Sequence, residues 1–168
     1  YNQVKVHSFE TSGTAEDYGT LGTPNNPAGA SDGTYAYFMA GGNGMGVEKR
    51  KFDDKTFTQS HGSMSGNNSG NPVAGSNGTE AMMQSWQNGV EKMSFASNTL
   101  STSHSSLTTD VYSGAAASGP ESCMFAGGSN GTKQNTIEMI SYDAGSTAQN
   151  FGDLVAPNYG LKGGSGNA

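Results

Sequence analysis

The segment Val47-Glu48-Lys49-Arg50-Lys51-Phe52 is the strongest indicator of the architecture, because the chain contains it four times in related form. The other copies are Val4-Lys5-Val6-His7-Ser8-Phe9, Val90-Glu91-Lys92-Met93-Ser94-Phe95 and Ile137-Glu138-Met139-Ile140-Ser141-Tyr142. Successive copies begin 43, 43 and 47 residues apart. A fixed period of this length is typical of stacked repeats.

A second marker follows each copy and keeps the same steps. It reads Tyr18-Gly19-Thr20-Leu21, His61-Gly62-Ser63-Met64, His104-Ser105-Ser106-Leu107 and Phe151-Gly152-Asp153-Leu154. Two independent markers with one period make chance similarity a poor explanation. The changing ring at the first position (Tyr18, His61, His104, Phe151) indicates a packing position that accepts any flat ring, rather than a metal site.

A third marker is a tight turn that leads into a short apolar strand. Its members are Asp32-Gly33-Thr34, Asn77-Gly78-Thr79 and Ser118-Gly119-Pro120. Gly next to Asp or Asn favours such turns. Two of the strands end in glycine pairs, Gly41-Gly42 and Gly127-Gly128, which would allow close backbone approach or positive φ. The middle unit has Trp86-Gln87 at that place.

Each unit therefore holds about four short strands, as a β-propeller blade does. We expect an all-β chain of four-stranded antiparallel sheets with a repeat of about 43–47 residues. The expected blades are residues 27–64, 72–107 and 114–154, preceded by a partial blade at 4–21 and followed by the first strand of a next blade at 158–164. In the blade at 72–107 the strands are expected near 72–76, 80–85, 90–95 and 100–107. Because both ends fall within a blade, we expect a larger propeller, or a ring that other chains complete.

Eight side chains are expected to pack between neighbouring sheets, since one such sheet cannot bury both faces alone. Four are rings and four are aliphatic: Phe9, Phe52, Phe95 and Tyr142, with Leu21, Met64, Leu107 and Leu154.

Composition narrows the function. The chain has 168 residues and a formal net charge of −6, which argues against nucleic acid and anionic membrane surfaces as partners. No apolar run is long enough to span a bilayer, so we expect no membrane insertion. The basic run Lys49-Arg50-Lys51 is interpreted as a solvated strand edge. The single cysteine, Cys123, excludes an internal disulfide framework and is expected to be a buried thiol.

The sequence indicates no catalytic residue, no cofactor-binding residue and no metal ligand. The candidates for ligand contact are Trp86 and Tyr159, because exposed aromatic side chains on propeller loops can stack on sugar rings. The alternative for Trp86 is packing between blades.

One stretch resembles a known group of repeats. Residues 136–142 (TIEMISY), 150–154 (NFGDL) and 157–161 (PNYGL) are similar to the kelch-like repeats of tailed-bacteriophage virion proteins. The resemblance extends over essentially the whole chain through the repeat spacing.

That resemblance implies a non-enzymatic virion structural protein at the particle surface, in the tail, neck, fibre or decoration, with host adhesion as an added role. Its partners would be other virion proteins, further copies of itself, or a host-surface glycan. A carbohydrate-binding propeller module is the alternative. A galactose-oxidase-like copper enzyme, which shares kelch repeats, is the remote one.

Overall fold

The structure is a computed structural model that describes residues 3–7, 13–22, 26–39, 46–64, 71–84, 87–97 and 102–164, without the side chains of 57 and 58. Four of the predicted positions, Phe9, Gly41, Gly42 and Trp86, lie outside these residues.

The described residues form fourteen β-strands and no helix. The strands are β1 (Gln3–Val6), β2 (Glu16–Thr20), β3 (Ala28–Ser31), β4 (Tyr35–Met39), β5 (Gly46–Lys51), β6 (Asp54–Ser63), β7 (Val73–Ser76), β8 (Glu80–Gln84), β9 (Gly89–Ser94), β10 (Thr102–Ser106), β11 (Ala115–Ser118), β12 (Ser122–Ala126), β13 (Gln134–Ser141) and β14 (Gln149–Asn158).

The strands pair into four antiparallel sheets, each in chain order. The first sheet has two strands, β1 and β2; the others are β3–β6, β7–β10 and β11–β14. The predicted all-β fold is confirmed. In the described part of the chain the sheets do not form a closed ring.

The first hairpin of each four-stranded sheet closes at the predicted turns. Asp32 Oδ1 accepts hydrogen bonds from the amides of Thr34 and Tyr35, at 2.8 and 2.7 Å, and Asn77 Oδ1 does the same in the next sheet. The glycines that follow, Gly33 and Gly78, have φ values of +86° and +89°, which glycine adopts without strain. In the last sheet Gly119 donates to Ser122 O as Asp32 does to Tyr35 O, so the predicted alignment of that turn was one residue out of step.

Consecutive sheets pack face to face, and their first strands lie side by side: β3 beside β7, and β7 beside β11. We call the face of a sheet that contacts the next sheet along the chain its trailing face, and the opposite face its leading face. Between the second and third sheets the junction buries Ala28, Tyr37, Met39, Val47 and Met64 against Ala81, Met83, Met93 and Phe95. The junction after it buries Val73, Met82, Val90 and Leu107 against Ala116, Cys123, Phe125, Ile140 and Tyr142.

The predicted ring positions do not all behave alike. Phe95 is 7% exposed and stacks on Tyr37 of the preceding sheet, with ring centroids 4.2 Å apart. Tyr142 is likewise buried, but Phe52 is 42% exposed, so its predicted burial was wrong. Phe95 is covered by Tyr37, which lies on the second strand of the preceding sheet. The sheet that precedes Phe52 consists of β1 and β2, and no strand equivalent to that of Tyr37 is described in it.

A glutamate lies on the third strand of each four-stranded sheet, and in two of the sheets it is bonded to the sheet before. Glu48 Oε2 accepts the amide of Gly22 at 2.8 Å, and Glu138 accepts the amide of Thr108 at 3.0 and 3.2 Å. Glu91 occupies the equivalent position, and all three glutamates are buried. Gly22 and Thr108 each follow a predicted packing residue, Leu21 and Leu107, which are buried, as is Met64.

The basic run is not a solvated edge, because β5 is an inner strand of its sheet. Arg50 is buried and its Nε donates to Glu48 Oε1 at 2.7 Å. Its remaining nitrogens donate to the carbonyls of Tyr18 and Thr20 in the preceding sheet. The guanidinium is paired and hydrogen-bonded, as a buried charge must be.

The segment predicted as a further first strand has another structure. Asn158 ends β14, and residues 159–164 are not in a strand. The segment is held by the hydrogen bond from Gly160 N to Ser113 O, and Gly163 lies against the backbone of Ala116 in β11. Together with the first strands it lines a cavity of about 160 Å³, formed by Pro27, Ala28, Gly29, Pro72, Val73, Ala74, Ala116, Lys162 and Gly163.

The glycine pair Gly127-Gly128 has both predicted properties. Their φ values are +64° and +100°, and a Cβ on Gly127 would lie 2.9 Å from Asn158 O.

A glycine in β7 controls how closely the last two sheets approach. A Cβ on Gly75 would come within 2.3 Å of Ser118 Oγ and 2.9 Å of Cys123 Sγ. The Ser118 hydroxyl is held there by the Tyr142 hydroxyl at 2.9 Å. Only glycine leaves room for this pair of side chains.

We therefore expect Gly75→Ala to destabilise the protein by about 1–3 kcal/mol through overpacking. Urea unfolding followed by circular dichroism measures this loss. The matched control is Gly29→Ala in β3, where a Cβ would meet nothing within 4 Å. An equal effect of both substitutions would contradict this assignment.

Candidate functional site

A surface depression lies where three loops meet. It has a volume of about 400 Å³ and is lined by Gln87, Asp110, Val111, Tyr112 and Asn130. These residues come from the β8–β9, β10–β11 and β12–β13 connections. The stacking of the last two four-stranded sheets therefore creates the depression, since each sheet alone supplies only part of its wall.

A buried amide holds two of these loops in place. Gln84 is 1% exposed, at the end of β8, and its Nε2 donates to the carbonyl oxygens of Gln87 and Val111, at 2.6 and 2.5 Å. The equivalent positions in the other sheets, by strand register, are Met39 and Ala126, which cannot make these bonds. Gln84 is a positioning residue that the sequence analysis did not identify, although its departure from the repeat was visible there.

Polar side chains also join the connections between successive sheets. Asn26 Nδ2 donates to Asn71 Oδ1 and Asn71 Nδ2 donates to Ser113 Oγ, both at 2.8 Å. Ser113 has φ +59°, and its neighbour Tyr112 pairs through the backbone with Ser129. This chain of bonds fixes the rim of the depression to all three four-stranded sheets.

Tyr159, a predicted ligand contact, directly precedes a residue that is bonded to this rim. Its ring is 53% exposed, and Lys133 Nζ lies 5.2 Å from the ring centroid. Gly160, the next residue, is bonded to Ser113 O. Tyr112, which is also exposed, was not predicted. The Gly160–Ser113 bond thus brings the backbone at Tyr159 close to the backbone at Tyr112.

The ring position of the second marker carries a hydrogen bond to the next sheet. Tyr18 Oη donates to Phe52 O, His61 Nε2 to Ser94 O at 3.3 Å, and His104 Nε2 to Ser141 O at 2.8 Å. Phe151, the fourth member, has no donor and is exposed. The position is therefore more than a packing site: in three of four units it bonds the sheets together.

The reactive groups of the described residues are dispersed. No three His, Cys, Asp or Glu side chains among them are placed to hold a metal ion. Cys123 is buried, and burial raises the pKa of its thiol to about 12, so the thiolate form that reacts is disfavoured.

The scan against protein-family models found no family that matches this chain, and the search of curated proteins found no similar protein. Within the described ranges, no helix has the length and apolar character needed to cross a bilayer.

The buried ring of His61 predicts how stability depends on pH. Burial lowers the pKa of His61, so the folded protein binds this proton less tightly than the unfolded chain. The contribution of the neutral His61 ring to the free energy of unfolding is therefore fully present above the unfolded-state pKa of about 6.5. It is lost as the pH falls below that value. We expect His61→Phe to flatten the decrease of the unfolding midpoint on the acid side, measured by urea titrations at several pH values.

The control is His7→Gln, because His7 is exposed. This substitution should leave the acid-side decrease as it is in the parent protein. If His61→Phe also left that decrease unchanged, burial of the neutral ring would not be its source.

Proposed function

We propose that this chain is a section of a kelch-like β-propeller with a non-enzymatic structural role at the surface of a tailed-bacteriophage virion. One observation carries the propeller: successive sheets are fastened face to face, with their first strands side by side around a common cavity. Propeller blades meet in this arrangement around a central channel. The virion role is supported by the resemblance of residues 136–161 to phage kelch-like repeats.

The surface chemistry agrees with a role in assembly or adhesion. The chain carries a net charge of −6, and its loops are rich in Gly, Ser and Asn. The described ion pairs are few, and the Lys55–Glu16 and Lys51–Asp53 pairs involve partly or largely exposed side chains. Such a surface suits contacts with other proteins or with glycans better than contacts with phosphate groups.

The virion role is tested on particles of a phage that encodes this sequence. Mass spectrometry of purified particles should find the protein in stoichiometric amount, and negative-stain images of particles from a deletion strain should lack a defined external feature. Particles of unchanged composition and appearance would exclude the role.

A second candidate function is carbohydrate binding, favoured by the depression that Tyr112 lines. The exposed Tyr112 lines a concave surface that also presents Asp110, Asn130 and Gln87. The exposed Tyr159 precedes Gly160, whose amide is bonded to Ser113, the residue after Tyr112. Aromatic faces can pack on the apolar face of a sugar ring, while carboxylate and amide groups bond to its hydroxyls.

A glycan array tests this second candidate. Tyr159→Ala and Tyr112→Ala should each reduce binding of any recognised glycan at least tenfold, since aromatic contacts dominate such small interfaces. Phe52→Ala is the matched control, because Phe52 is an exposed ring in the β5–β6 turn of another sheet. No binding by the parent protein, or an equal loss in the control, would reject the site.

A further inference from the structure

Within the described ranges, no sheet covers the trailing face of the last sheet, although its equivalents are buried. Phe151 is 60% exposed, whereas Tyr18 and His61 at the same repeat position are 7% and 3% exposed. Leu154 is half-buried where Leu21, Met64 and Leu107 are buried. We call this surface the trailing flank; it consists of Met124, Ile137, Met139, Phe151 and Leu154.

The trailing flank has the composition of a surface that another sheet covers. Strand register matches Met124 with Met82, because they lie opposite Ala117 and Gly75. The repeat matches Ile137 with Val90, and Leu154 with Leu107. Met82, Val90 and Leu107 all pack against the next sheet. Because the trailing flank has apolar side chains at the same three positions, the leading face of another sheet of this repeat would fit it.

The two complete junctions show that such a leading face comes in two types. In the first type Gly75 faces Cys123, and Ser118 Oγ is turned toward it by its bond to Tyr142. In the second type the glycine is replaced by Ala30, and the cysteine position is Ala81.

The serine and the ring also differ in the second type. Ser76 Oγ bonds instead to the backbone of Ser31, at 2.9 Å to its carbonyl and 3.2 Å to its amide. The ring is Phe95, which has no hydroxyl to hold the serine. An alanine at the position of Gly75 and Ala30 on a trailing face can therefore pack only against a leading face of the second type.

The sheet that forms the trailing flank has an alanine, Ala117, at the position of Gly75 and Ala30. Ala117 lies opposite Met124 in the register that places Gly75 opposite Met82 and Ala30 opposite Tyr37. A leading face with cysteine and a tyrosine-held serine would meet the methyl group of Ala117 at the distances that exclude alanine from position 75. The flank therefore selects a leading face of the Ala81 and Phe95 type.

The sheets described for this chain would not offer such a face in a second copy. The three four-stranded sheets already have their leading faces against a neighbour. The remaining described sheet, β1–β2, has Lys5 where they have glutamate, since Lys5 pairs with Asp17 as Glu48 pairs with Ser60. An ammonium group cannot accept the amide hydrogen that the glutamates accept.

We propose that the trailing flank binds a further sheet of the same repeat, which presents alanine at the Ala81 position, phenylalanine at the Phe95 position and glutamate at the Glu91 position. This inference rests on the sheet stacking of the proposed function and not on the virion role. Its test uses the purified chain alone, so its failure is distinct from a failure of the particle experiment.

The experiment appends a sheet to this chain after Leu161. In one variant the added segment is a copy of residues 73–111, which has alanine and phenylalanine at the two selecting positions. In the other it is a copy of residues 115–158, which has cysteine and tyrosine. The first variant should unfold at a higher urea midpoint than the parent, and the second should gain only when Ala117→Gly is added.

Phe151→Ser supplies the second measurement. It should leave the midpoint of the parent chain unchanged, because the ring is exposed there, and should lower the midpoint of the first extended variant. If the first variant fails to fold, the Ala117→Gly form of the second must still show the gain.

Three results would overturn the proposal. One is the absence of any gain in either extended protein, and another is an equal gain in both with no effect of Ala117→Gly. The third is reversible dimerisation of the parent chain that Phe151→Ser abolishes, which would identify a second copy as the occupant.

Discussion

The structure depends on a carboxylate buried between adjacent sheets. Glu48 and Glu138 each accept the amide of the residue that follows the last packing side chain of the preceding sheet. A buried carboxylate without such partners would be costly, and so would a buried amide without an acceptor. Each glutamate can therefore stay buried only if the neighbouring sheet is in place. Burial of the apolar faces supplies attraction, and these bonds fix the register of one sheet on the next.

The loop surface follows from that register. Gln84 bonds the loops around the depression, and Asn26, Asn71 and Ser113 join successive connections. The bonds of Gln84 to Val111, of Asn26 to Asn71 and of Asn71 to Ser113 could not form if neighbouring sheets were displaced along each other by one residue. The same reasoning explains the uncovered trailing flank, because a surface that repeats the chemistry of two buried faces has Phe151 in solvent. Assembly and ligand binding would thus use different parts of one stacked arrangement.

Much of this fold could be read from periodicity. The spacing of the repeats located the strands at 73–76, 80–84, 89–94 and 102–106 within two residues of their expected bounds. The two wrong burial predictions depended on neighbouring strands. Phe52 is exposed because the described part of the preceding sheet has no strand facing it, and Arg50 is buried because its strand is an inner one. Tyr159 was chosen as a ligand contact for its aromatic character, and that role stays a prediction. Gln84 and Tyr112 were not, since only the packed sheets show which loops meet.

Amide hydrogen exchange of Thr108 and Gly22 measures the stacking of the sheets most directly. Both residues are exposed and lie outside the strands. The acceptor of each amide is a glutamate of the following sheet. We predict slow exchange at both sites, and loss of protection at Thr108 alone when Glu138 is replaced by alanine. Exchange at the rate of an open loop in the parent protein would contradict the stacked arrangement.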